Sequence, residues 1–147
     1  MFSSVEIAPL RAALAASAQT VLDGWQQDEQ GWDEELGQGG ACQDVANAMQ
    51  EVLAANGIED CLALFTEFDG GHVFLVVNLS DGVFTLDIAP STYESGAGYV
   101  WRKREGVVLG PGDIHLSRIE PPMSPEAFRA RYDENAPADD LAGASCF

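Results

Sequence analysis

Three runs of strand-forming residues, 61–68, 72–79 and 83–88, follow one another with only Asp69-Gly70-Gly71 and Ser80-Asp81-Gly82 between them. Connections this short reverse the chain, so the economical assignment is an antiparallel meander. Two helical patterns precede it. Ile7, Leu10, Leu14, Ala18, Val21 and Leu22 recur at helical spacing over residues 5–22, with Pro9 tolerable only in the first turn. Val45, Met49, Val52 and Leu53 do the same over 42–55, and Asn56-Gly57 supplies the stop, because both residues accept the left-handed conformation at a helix C-terminus. After the meander, 98–103 and 113–119 are weaker strand candidates. Ser124-Pro125 then reads as a cap and first helical residue, with Phe128 and Tyr132 on one face. The pattern predicts an α+β fold in which the 42–55 helix packs across an antiparallel sheet.

Length fits one domain: 147 residues with 46% hydrophobic content can bury a single core. Residues 1–134 are expected to form it, and 135–147, small and acidic, read as a C-terminal tail. No apolar run approaches the roughly 20 residues that span a bilayer. The N-terminus lacks a signal peptide's basic segment and apolar run. Three cysteines without a dense framework fit a reducing compartment, so a soluble cytoplasmic protein is expected. A net charge of −17 repels phosphate backbones and argues against direct nucleic-acid binding. The same charge suits either plain solvation or docking on a basic protein partner.

The chemistry centres on Cys42, which sits where the glycine-rich stretch Gly39-Gly40 gives way to a helical pattern. Unpaired N–H groups and the positive end of the helix dipole favour a thiolate there. His72 opens one strand and Asp87 closes the next, so pairing through the turn can bring them together at one sheet edge. Direct opposition needs a bulge or a turn centred near residue 79 or 80. His72 would then share the Cys42 proton while Asp87 fixes the imidazole tautomer, and the thiolate could attack a carbonyl carbon. The Cys42 N–H is the first oxyanion donor, with Gln38 or Trp32 as side-chain candidates. Asp44, in the helix's first turn, complements the dipole.

Gly40-Ala41-Cys42-Gln43-Asp44, Gly71-His72-Val73-Phe74 and Leu86-Asp87, taken in order, resemble the core of the transglutaminase-like branch of the papain-like cysteine enzymes. The resemblance covers roughly residues 37–90. It implies Cys42 as nucleophile, His72 as base and Asp87 as orienting residue in a papain-like core. It also implies acyl-transfer chemistry at an amide or thioester. The ordered Cys42, His72 and Asp87 set leads to the expectation of a thiol hydrolase or acyltransferase acting on an amide bond in a peptide, a protein side chain or a peptide-like small molecule, with no cofactor expected. Phe74 and Phe84 stand where many members carry Trp.

Other chemistries find less support. His72 and His115 are not at close ligand spacing and no Cys-x-x-Cys pair is present, so no metal site is expected. No phosphate-binding glycine motif occurs. Cys61 falls within an apolar strand and reads as core, and Cys146 reads as an exposed thiol. Tyr93, Tyr99 and Trp101 with Arg102-Lys103-Arg104 form an aromatic-basic cluster, suited to a charged strand edge or an anionic partner. Against the enzyme stands a catalytically silent binding or inhibitor protein whose acidic surface engages a basic partner.

Overall fold

The computed structural model describes residues 2–25, 41–66, 72–95 and 101–132. Helices α1 (Arg11–Gly24) and α2 (Cys42–Ala55) precede strands β1 (Cys61–Thr66), β2 (His72–Leu79) and β3 (Gly82–Ile88). A short ribbon of β4 (Tyr93–Ser95) and β5 (Trp101–Lys103) follows, then β6 (Ile114–Arg118) and α3 (Pro125–Tyr132). The main sheet is antiparallel throughout, in the order β1-β2-β3-β6, so the chain is α+β as its pattern predicts. Among the described residues no helix is long and apolar enough to cross a membrane.

Local chemistry sets the boundaries. The 5–22 pattern is split: Pro9 lies in a 3-10 turn over Ala8–Leu10, and the α-helix starts only at Arg11. Proline at an interior position would remove a main-chain hydrogen bond, and at the threshold of the helix it removes none that is needed. Leu79 pairs with Gly82, so Ser80-Asp81 is the two-residue turn between β2 and β3. Gly82 takes a φ of +148°, which a side chain would resist. The N-terminal segment is pinned to this turn: the Ser80 N–H donates to the Phe2 carbonyl at 2.8 Å, and the Ser4 N–H to Asp81 at 2.9 Å. At α3 the Ser124 hydroxyl accepts the Ala127 N–H at 3.1 Å, the cap expected there.

Side chains along β2 alternate between two cores. Val73, Leu75, Val77 and Leu79 pack with Phe84, Leu86 and Ile88 of β3 beneath α1 and α2, against Leu14, Leu22, Met49 and Leu53 among others. Val76, with Leu64, Val83 and Ile119, lies in a second cluster, flanked by Phe74, Met123 and Phe128. Cover on both faces explains why β2 reads as an almost unbroken apolar run rather than a clean alternation.

The β4–β5 ribbon is tied to α1. The Lys103 ammonium donates to the Leu22 carbonyl in the last turn of α1, where a cation also complements the helix dipole. Arg104 reaches the Ser91 carbonyl through Nε at 2.9 Å, and its N–H donates to the Thr92 carbonyl at 2.9 Å. Gln19 on α1 clamps the following segment with a two-way amide contact: Nε2 donates to the Val107 carbonyl at 3.0 Å, and Oε1 accepts the Leu109 N–H at 2.7 Å. Lys103 and Arg104 thus each make hydrogen bonds within the fold. Tyr99, the 135–147 tail and most of the 24–40 loop lie outside the described residues.

Candidate functional site

The β2–β3 register decides how His72 meets Asp87. Leu75 stands opposite Leu86, and one further step sets Phe74 against Asp87, which leaves His72 as the diagonal neighbour. Direct opposition is not reached, because the turn centres between residues 80 and 81. A diagonal pair is still within reach of long side chains. His72 Nε2 and Asp87 Oδ2 are 2.5 Å apart. The other carboxylate oxygen, Oδ1, accepts the N–H of Ile88 at 2.8 Å, which fixes the carboxylate's orientation.

The imidazole is confined on two further sides. The Phe74 ring stacks on it at 6.2 Å between centroids, and the Tyr93 ring meets it at 6.1 Å with an interplanar angle of 73°. Burial pulls the His72 pKa down, but the hydrogen bond to Asp87 and its charge together outweigh that and hold it above the ordinary value of 6.5. With Nε2 committed to Asp87, Nδ1 is the nitrogen left for proton exchange, and it makes no hydrogen bond to a described residue.

Cys42 arrives at the same end of the sheet from the helix side. It is the first residue of α2, and its sulfur accepts the N–H of Val73, the residue after His72, at 3.3 Å. Val73 and Cys42 belong to the core under α1 and α2. His72 alternates with Val73 and stacks on Phe74, so its side chain stands on the other face. Sulfur and imidazole thus approach one strand end from opposite faces. The sequence predicts a thiolate at Cys42, but the sulfur is disulfide-bonded and only 2% of the residue is exposed. In this state it is neither acid nor nucleophile.

Tyr93 bridges the two faces. It packs in the core under α1 and α2, yet reaches the imidazole edge-on. Sequence reasoning places neither Phe74 nor Tyr93 beside the imidazole. Phe74 could have been found, since a residue two places along a strand shares its face. Tyr93 could not, because its position depends on the Pro90–Thr92 turn and the ribbon that follows.

The remaining assignments divide. Cys61 is a buried free thiol, pushed up to about 12 by burial and then by the charge of Asp60. His115 pairs with Asp87 in the β3–β6 register and is exposed. Among the described residues no three His, Cys, Asp or Glu side chains gather as a metal site requires. Gln38, Trp32 and Cys146 lie outside the described residues. Compared with protein-family models, curated proteins and solved structures, the chain matches none.

Proposed function

We propose that the protein is a cysteine-dependent hydrolase or acyltransferase acting on amide bonds of peptides, protein side chains or peptide-like small molecules, on a papain-like core of the transglutaminase type. The observation that carries this reading is the His72–Asp87 pair, 2.5 Å apart, at the strand end where the Cys42 sulfur holds the Val73 N–H. The first requirement is reduction of the Cys42 disulfide by an external dithiol, which supplies two electrons and two protons, leaves as its own disulfide and returns both protein sulfurs as thiols. The step requires the freed thiol to come round the strand end from the face opposite the imidazole; there it passes its proton to Nδ1 of His72, and Asp87 compensates the imidazolium through Nε2. The thiolate attacks the amide carbon, and the leaving nitrogen takes the proton back as the C–N bond breaks. The acyl-thioester that remains is resolved by water or by an acceptor amine. A thiolate paired with an imidazolium needs a histidine of raised pKa, which is what Asp87 provides.

The test uses Cys42 alkylation against pH in a Cys61→Ser, Cys146→Ser background, with and without His72→Ala. Labelling that persists well below the ordinary thiol pKa of about 8.5 and is lost with His72 is the expected result. An ordinary profile, indifferent to His72, would remove the enzyme reading.

The disulfide at Cys42 and the net charge of −17 favour a second reading, a catalytically silent acidic module that engages a basic partner. Partner binding that weakens steeply with salt and survives Cys42→Ser would mark it.

A further inference from the structure

Tyr93 is buried at the start of the β4–β5 ribbon, against the His72 imidazole. Its hydroxyl is buried and has no hydrogen-bond partner among the described residues, although buried polar groups are as a rule satisfied. The residue is not left there by a loose loop. Tyr93 pairs with Lys103 across the ribbon, Lys103 is held by the Leu22 carbonyl, and the flanking Ser91 and Thr92 carbonyls are both held by Arg104. The residue is 8% exposed, and its ring lies edge-on to His72.

We propose that Tyr93 is a positioning residue for the His72–Asp87 pair: its ring confines the imidazole, and its hydroxyl is the donor that the Asp87 carboxylate takes up when His72 gives away its proton. The acceptor capacity is present. An ionised carboxylate has about four lone-pair sites, and Asp87 uses one on Oδ2 for His72 and one on Oδ1 for Ile88. The donor is permanent as well, since burial, reinforced by the charge of Asp87, raises the phenol pKa and keeps its proton in place. While His72 is cationic, its own charge compensates Asp87. Once it is neutral, a second donor on the carboxylate stabilises that state, so Tyr93 makes the proton easier to release.

Among the described residues the charged and titratable groups around His72 are Asp87 on β3, Tyr93 on β4 and His115 across from Asp87 on β6; the Cys42 sulfur at the start of α2 is disulfide-bonded and does not titrate. The proposal builds on the reading of His72 as a base, but its test needs no turnover. Nuclear magnetic resonance titration of the His72 ring is compared in the full-length wild type and in Tyr93→Phe, with His115→Gln used to assign the two histidines. Tyr93→Phe retains the ring and removes only an unpartnered oxygen, so it should fold with an unchanged or slightly higher melting temperature. The His72 pKa should rise by several tenths of a unit. An unchanged or lowered pKa overturns the proposal. A rise together with an ordinary Cys42 alkylation profile would uphold the positioning role of Tyr93 while removing the enzyme reading, so the two fail separately.

Discussion

Among the described residues three side chains hold His72, and they act differently on its proton. Phe74 and Tyr93 limit its rotation, whereas Asp87 sets its charge. The consequence for stability has a definite sign. The folded pKa lies above the unfolded value of 6.5, so protonated His72 favours the folded state. That contribution is fully present below 6.5 and is lost as pH rises through the folded pKa. In Asp87→Asn only burial remains to act on the imidazole, and its pKa should fall below 6.5. Urea unfolding should therefore show the variant less stable than wild type by on the order of 1 kcal/mol near about pH 5.5, with the gap narrowing toward about pH 8.5. A gap that does not change with pH would mean that the pair contributes packing rather than charge.

Elements differ in how far the sequence alone reveals them. The helices and the three-stranded meander follow from spacing and turn residues, because periods of 3.6 and 2 are local properties. The meeting of His72 and Asp87 is legible only as a common sheet edge, since one residue in the turn changes every partner. Which face Cys42 and His72 occupy becomes visible only when the register and the α2 packing are known together, and the disulfide at Cys42 is not legible at all. The Gln19 clamp is equally non-local, joining α1 to a segment about ninety residues later. Gln19→Ala should remove two part-buried hydrogen bonds and cost about 2 kcal/mol in chemical unfolding. If it leaves stability unchanged, the 107–109 segment is not secured by this residue.

At the scale of the whole molecule, charge dominates. Seventeen more negative than positive groups repel one another across a small globule, and the repulsion is stronger when folded than when the chain expands. Raising ionic strength from about 0.01 M to about 0.15 M shortens the screening length from about 30 Å to about 8 Å, so the melting temperature should rise over that range. A flat response would show that the charges are already dispersed enough not to matter. The scarcity of cations also gives the ribbon contact at α1 a wider meaning. Lys103 is the only lysine in the chain, and its amine is bonded to the Leu22 carbonyl. Acetylation, ubiquitin conjugation and amine-directed cross-linkers thus have one lysine to act on, and modifying it removes the ribbon's bond to the Leu22 carbonyl. Since Tyr93 stands on that ribbon, a single acyl group on Lys103 would be felt at the imidazole.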